Sequence, residues 1–383
     1  MSNPTKIYND YVRANLPNTM TFDSTAVRYD INNHSFFKFK KSNWYFKYIT
    51  KFGYVPSSPS TTDFVMNIAT TGTNETFTIP CNNIGTFNAE IEWGDGSTST
   101  VTAYNDANLA HTYASAGDHQ ISITGSFPNI RFNNTGDKLK VKSVENLGAV
   151  GWTTLEGAFR GCSNMVSFIG GTTDTSSVSS INKMFNGCTS LTLLDVSSFD
   201  TSSVTGNGMN KVFFGCTSLT SLDVSNFDTS SCTSFDSTFR VLTNLTSLNL
   251  SGFDTSSATY TGYMFLGSDS LTSLDVSSFD TSSVVRMDNM FNCNSLTSLV
   301  GAEDFDITSF NRTSALAGFM DNSGRMTTAQ YDALLVKWDA QSVFSNVIAN
   351  FGSSQYTAGS AAATARANLI SSDGWTISDG GTA

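Results

Sequence analysis

Residues 190–204 read SLTLLDVSSFDTSSV, residues 218–232 read SLTSLDVSNFDTSSC, and residues 270–284 read SLTSLDVSSFDTSSV. A catalytic site is needed once, so copies this similar along one chain support one another physically. Two rulers measure the repeat. The aspartates of the DTSS unit and its variants, Asp174, Asp200, Asp228, Asp254, Asp280 and Asp306, are spaced by 26, 28, 26, 26 and 26 residues. Phe159, Phe185, Phe213, Phe239, Phe265 and Phe291 give the same series, and both rulers place the insertion in TGNGMN at 205–210.

A period of 26 lies in the range of leucine-rich coils, and the copy Leu219-x-x-Leu222-x-Val224-x-x-Phe227 supplies the reason. Leu222 and Val224 point to one side of a short strand, and Ser221, Asp223 and Ser225 to the other. One coil cannot bury that side alone. Stacked coils bury it continuously, each strand expected to pair in parallel with the last. Phe199, Phe227, Phe253, Phe279 and Phe305 form a second inward column, and the Phe159 series a third. Each buried ring contributes roughly 1.5–3 kcal/mol. Such stacks can also serve as sugar platforms, but one fixed phase beside Leu and Val favours core. Cys162, Cys188, Cys216 and Cys293 share one repeat position with Leu242 and Ser268, and Cys232 replaces a valine. These read as small buried residues; no CxxC or Cys/His cluster points to metal or redox chemistry.

The outward ladder holds the candidate binding residues: Ser221, Asp195, Asp223, Asn249 and Asp275. Strands about 4.8 Å apart set facing carboxylates against each other by about 1 kcal/mol at bulk dielectric. Calcium is an alternative use of such a row, but a flat ladder does not supply the ion's six or more oxygens. Asp followed by Thr-Ser-Ser reads as an Asx turn. Ice binding is a remote option, opposed by the Asp within the row. With three His, no clustered acids and no nucleophile or phosphate motif in context, no catalytic residue, metal or cofactor is expected, and the chain is read as no enzyme.

The units LDVSSFDTSSV and MDNMFNCNSLTSL resemble the BspA-like leucine-rich repeat family of bacterial surface proteins over about 150–310. The resemblance implies an extracellular adhesion or interaction scaffold without catalysis. Upstream, Trp93-Gly94-Asp95-Gly96, His111-Thr112-Tyr113 and Gly117-Asp118 before Gln120-Ile121-Ser122-Ile123 resemble a PKD-type immunoglobulin-like β-sandwich. Asp95 and His111 read as a turn carboxylate and a ring packed near Trp93 and Tyr113 rather than a catalytic or metal pair. Downstream, Thr327-x-x-Gln330 is a capping box before Tyr331, Leu334, Leu335 and Trp338 on one helix face. A second helical run, SAAATARANLI, and a terminal strand in GWTISDGG follow, and this ending resembles the C-terminal cap of BspA-like proteins.

The fold class is therefore mainly β: an immunoglobulin-like β-sandwich, then a leucine-rich-repeat-type solenoid of about six 26-residue coils, then a small α/β cap. The expected domains are an attachment segment at 1–61, sandwich and connector at 62–149, solenoid at 150–310 and cap at 311–383, the last three each with its own core. Charge divides the chain: residues 1–60 carry eight Lys/Arg against three Asp/Glu, a net +5, and residues 61–383 a net −16. The acidic body argues against nucleic acid as a partner. HSFFKFKKSNWYFKYITKFGY packs nine aromatics among five lysines. Phe36, Phe37, Phe39, Trp44, Tyr45 and Phe46 are the candidate attachment residues, docking on another protein; a membrane-surface or RNA-binding stretch, or a small folded unit, are the alternatives. The start shows no basic region followed by an apolar one, and no eighteen apolar residues run together, so no membrane insertion is expected. The leading expectation is a virion structural or adhesion protein, a phage tail or head fibre-like component on the particle surface, recognising a host-surface protein or glycan. Its partners would be other virion or surface proteins through residues 1–61, with a homo-oligomer as an option. The alternative is a BspA-like adhesin on the bacterial cell surface.

Overall fold

The computed structural model of the protein describes residues 29–30, 35–36, 60–321 and 325–383, in two compact units, 1–58 and 59–383. In the first, β1 (Tyr29–Asp30) pairs antiparallel with β2 (Ser35–Phe36). Phe36 lies in β2; Phe37, Phe39, Trp44, Tyr45 and Phe46 lie outside the described residues.

The second unit begins with β3 (Phe64–Thr70), β4 (Glu75–Thr78), β5 (Asn88–Glu92), β6 (Thr98–Val101), β7 (Ala110–Tyr113), β8 (Gly117–Ser126) and β9 (Val141–Asn146). Period-two alternation makes these strands: Phe64, Met66 and Ile68 of β3 are fully buried, as are Ile121 and Ile123 of β8. The WGDG turn joins β5 to β6. Gly94 takes φ 81° there, and a Cβ would fall 2.4 Å from the Gln120 carbonyl oxygen, so only glycine fits.

One three-residue strand then marks each coil: β10 (Ser167–Ile169), β11 (Leu193–Asp195), β12 (Ser221–Asp223), β13 (Ser247–Asn249), β14 (Ser273–Asp275) and β15 (Ser298–Val300). The first two join the upstream strands in a seven-stranded sheet of order β11-β10-β9-β3-β8-β5-β6, while β4 and β7 form a separate antiparallel ribbon. β9 runs antiparallel to β3 and parallel to β10, so one sheet passes from the upstream strands into the coils. The buried apolar residues from Phe64 to Trp375 accordingly make one cluster, where separate cores were expected. The physical reason is the open end of a solenoid: its first coil must be covered, and β3 and β9 cover it.

The expected unbroken strand ladder is a second point of difference. Pairing links β10 to β11, β12 to β13 and β14 to β15, but neither β11 to β12 nor β13 to β14. Continuity resides on the return side of each coil. There the amides of Phe159, Phe185, Phe213, Phe239, Phe265 and Phe291 each donate to a carbonyl of the next coil at 2.9–3.1 Å. Their rings follow: from Phe159 to Phe291 successive centroids are 5.5–6.3 Å apart, with planes within 12°. Short strands make few ladder bonds each, and on this side the bonds run unbroken from coil to coil.

Helix α1 (Thr328–Asp339) starts at the expected capping box of Thr327 and Gln330 and buries Tyr331, Leu334, Leu335 and Trp338. After it come β16 (Ile348–Asn350), helix α2 (Ala361–Ser371) and β17 (Thr376–Ser378), with β16 and β17 parallel. Return-side bonds run on, from Met320 N–H to Asn350 O and from Phe351 N–H to Ser378 O, both at 2.9 Å. Helix α1 takes the place of a strand and packs on β15 and α2. Trp338 meets the Phe319 and Phe351 rings at 6.0 and 5.9 Å. The last coil is thus covered by apolar side chains rather than left open. No helix among the described residues is long and apolar enough to cross a membrane.

Candidate functional site on the strand face

Most of what the sequence repeats is consumed by stacking. In the DTSS turns, the Asp200 carboxylate accepts from the Ser202 amide at 3.0 Å and hydroxyl at 2.6 Å, and Asp228 from those of Ser230 at 3.0 and 2.7 Å. The Ser202 hydroxyl and amide hold the Asp200 carboxyl below the usual carboxylate range. These are the Asx turns the sequence indicates. The threonine between them does something the sequence did not disclose. Thr175, Thr201, Thr229, Thr255 and Thr281 are buried, and each hydroxyl donates to the backbone oxygen of the next coil's turn aspartate at 2.7–2.9 Å.

The cysteine column works similarly. Cys188, Cys216 and Cys293 thiols lie 3.1, 3.1 and 2.9 Å from the carbonyl oxygens of Phe159, Phe185 and Phe265, as the Ser268 hydroxyl does from Phe239 at 2.7 Å. All six cysteines are free, and burial pushes the Cys216 and Cys293 thiols up to about 12. Such thiols are inert at neutral pH.

On the outward strand face, register aligns Asp223 with Asn249 and Ser221 with Ser247. The ladder residues are Asx-turn acceptors too: Asp195 takes the Ser197 amide at 3.0 Å and hydroxyl at 2.6 Å, and Asp223, Asn249 and Asp275 take the amides of Ser225, Ser251 and Ser277 at 3.0, 3.2 and 2.9 Å. One carboxylate oxygen of each aspartate is therefore committed. The Ser225 amide and then its hydroxyl lower Asp223, and the Ser277 hydroxyl and then its amide lower Asp275, keeping both charged.

Where β11 and β12 fail to pair, a cleft of about 340 Å³ opens between them, lined by Leu193, Leu194, Asp195, Val196, Asp223 and Asn226 among others. Two of the predicted ladder residues, Asp195 and Asp223, share it; Asn249, Asp275 and Ser221 are not part of its lining. Asn226 closes its floor, its amide donating to the carbonyls of Val196 at 3.2 Å and Phe199 at 3.1 Å. Leu193 is the residue the sequence reading missed. It stands where Ser221, Ser247, Ser273 and Ser298 stand in other coils and is 52% exposed. Its signal was a departure from the repeat, not a repeated feature. An apolar wall beside two carboxylates can seat a ligand that is apolar on one side and carries donors or positive charge on the other.

Upstream, Asp95 and His111 are 2.7 Å apart, but Asp95 also takes the Ser97 amide and hydroxyl, and the His111 ring stacks on Trp93 at 5.0 Å. Tyr113 closes the group, its hydroxyl donating to Trp93 O at 2.9 Å. Burial raises the Asp95 carboxyl, yet the bonds from Ser97 and His111 outweigh it and leave it lowered. The pair is a structural turn. Among the described residues, no group of three or more His, Cys, Asp or Glu is placed to hold a metal ion.

Comparison with known proteins bears on the coils. The chain is similar to a leucine-rich repeat protein from Bacteroides ovatus, at 14% identity and a TM-score of 0.32 over 70% of this chain, spanning 66%, just under two thirds, of that one. No curated protein matches. A family model described as "Mycoplasma protein of unknown function, DUF285" matches three overlapping stretches, 127–221, 153–247 and 207–323, beginning beyond the Trp93–Gly96 segment. Together they cover more than half of the 383 residues. The chain belongs to the DUF285 family.

Proposed function

We propose that the protein is a non-catalytic recognition scaffold displayed on a bacterial cell surface in the manner of a BspA-like adhesin, binding a host-surface protein or glycan in the strand-face cleft. The observation that carries this reading is the division of labour in the coils. The repeated Asp, Thr, Cys and Phe residues are engaged in stacking, and Leu193 breaks the pattern on the exposed face beside Asp195 and Asp223. Specificity then resides in the departures from the repeat. In the same reading residues 1–61 attach the chain to its carrier, 62–149 form an immunoglobulin-like spacer of PKD type, 150–310 make six coils, and 311–383 cap them.

The test is binding of the full chain to intact host cells, measured by flow cytometry beside Leu193→Ser, which restores the repeat residue. The expected result is a loss of about tenfold in affinity, the size of an anchor side chain in a partner's pocket, with unfolding unchanged. Unaltered binding would overturn the cleft as the site. Mass spectrometry of washed cell envelopes beside purified phage particles decides between carriers. Recovery in envelopes is expected, and recovery confined to particles would move the scaffold to a virion.

A further inference from the structure

Five cationic side chains, Arg160, Lys183, Lys211, Arg240 and Arg286, are all the Lys and Arg of residues 150–310. None lies in a strand or a DTSS turn; each falls within a few residues of a return-side phenylalanine. In a body of net charge −16, that confinement to one side is itself a pattern. Two of the five are neutralised in place, Lys211 by Asp236 at 2.5 Å and Arg286 by both oxygens of Asp288 at 2.6 and 2.8 Å. Arg160 donates only to amide oxygens, 3.0 Å from that of Asn133 and 3.4 Å from that of Asn186. Lys183 and Arg240 form no ion pair among the described residues.

Arg240 is the centre of this side. Its guanidinium lies between the rings of Phe214 and Tyr263, 5.3 and 5.4 Å from their centroids, and its Nε is buried without a hydrogen-bond partner. In the next coils Arg286 sits over Tyr260 at 4.8 Å. A guanidinium fixed between two rings has already lost its rotamer freedom, and with no carboxylate of its own it is set to grip one from a ligand.

Two further observations narrow the ligand. The backbone here is closed by coil-to-coil bonds, Lys211 N–H to Asp236 O at 3.0 Å, Gly215 N–H to Arg240 O at 2.9 Å and Val241 N–H to Leu266 O at 2.8 Å. A peptide strand therefore finds no ladder to extend, and recognition falls to side chains alone. The acidic body repels densely charged polymers such as nucleic acid, but much less a chain whose charges are sparse. We propose that the return side around Arg240 binds a saccharide chain bearing isolated carboxylates, as uronic and sialic acid residues do. The guanidinium holds the carboxylate, Lys183 adds charge along the same side, and the half-buried rings of Phe214 and Tyr263 receive the sugar's apolar faces.

The site is separate from the strand-face cleft, so the two readings fail separately. Isothermal titration of the full chain with a hyaluronan oligosaccharide, one carboxylate per disaccharide, is compared with a neutral chitin oligosaccharide and a polyglutamate peptide. Expected are binding of hyaluronan alone, weakening with salt, a loss of about tenfold in R240Q, a smaller loss in K183N, and no change in L193S. Asn tolerates the left-handed backbone of Lys183 (φ 57°), so K183N removes charge without strain, and it decides the matter should R240Q fold poorly. Absence of hyaluronan binding, or wild-type affinity in both variants, overturns the proposal. Equal binding of polyglutamate would overturn it in favour of an acidic protein.

Discussion

Thr229 offers the sharpest test of how the coils are joined. It is fully buried, and its hydroxyl both donates to the backbone oxygen of Asp254 at 2.7 Å and accepts from the Asp254 amide at 2.8 Å. Thr229→Val keeps the shape and removes both bonds, leaving an N–H and a C=O of the neighbouring coil without that partner. Each such orphan costs about 1–3 kcal/mol, so Val should destabilise by about 3 kcal/mol, allowing for partial access of water at the turn. Thr229→Ser keeps both bonds and loses one methyl, about 1 kcal/mol. The order is the point: if packing dominated, Val would be the milder change. Urea unfolding followed by far-ultraviolet circular dichroism gives the totals. Because long repeat arrays depart from two-state behaviour, hydrogen exchange of the peptide holding Asp254 gives the local effect. A Val variant as stable as Ser, with the Asp254 amide still protected, would refute the threonine ladder.

Other outcomes follow from the same geometry. Val241 holds φ 59° at the position of Gly161, Gly187, Gly215 and Gly267, so Val241→Gly should raise the urea midpoint by an amount worth about 1 kcal/mol, and a lowered midpoint would count against strain there. The Asp379 side chain, 2% exposed, accepts from Arg366 at 2.7 and 3.2 Å and from the Tyr331 hydroxyl at 2.7 Å; Asp379→Ala should cost about 3 kcal/mol and speed proteolysis of the cap before the coils. Asp174, Asp200, Asp223, Asp275 and Asp280 have lowered folded-state values, so their contribution is complete above the unfolded aspartate pKa of about 4 and is lost as pH falls through the folded values. Stability should be flat from neutral to mildly acid pH and fall below about pH 4; a fall near neutrality would assign the titration to other groups. Alkylation of the native protein should spare Cys162, Cys188, Cys216, Cys232 and Cys293, and label all six thiols once denatured; early native labelling would contradict their burial.

The parts of this fold that sequence could disclose are those where one residue type answers one demand. Phenylalanine at a fixed phase has to be buried, and the Phe159 series is stacked as the period required. Asp before Ser at i+2 makes an Asx turn almost wherever the chain allows it, and the DTSS column does so. Thr327 and Gln330 capped their helix because each side chain accepts from the other's free backbone amide. Other demands had no single residue to announce them. Gly157, Lys183, Lys211, Ser237, Tyr263, Asn289 and Gly318 all occupy the left-handed region at one position of the coil, φ 55–68°, and five of the seven are not glycine, so their identities conceal the backbone turn in the central coils. The passage of one sheet from β3 through β9 into β10 depends on pairing between segments 76–78 residues apart, such as Asn67 with Ser143 and Glu145, which no local pattern encodes.

The candidate site was hard to read for a related reason. A repeat directs attention to what recurs, and Asp195, Asp223, Asn249 and Asp275 recur because each closes a turn with the serine two residues on. A ligand that tells this protein from its relatives has to find something that does not recur. Leu193 on the strand face and Arg240 on the return side are such residues, the first exposed where serine is usual and the second lodged between two rings where Asn186 and Leu266 stand in other coils. Stacking requires each coil to match its neighbours inwardly, and this leaves the outward positions free to vary without loss of stability. Selection for binding can act at those positions alone, so a rigid periodic core and an aperiodic surface are two consequences of one architecture.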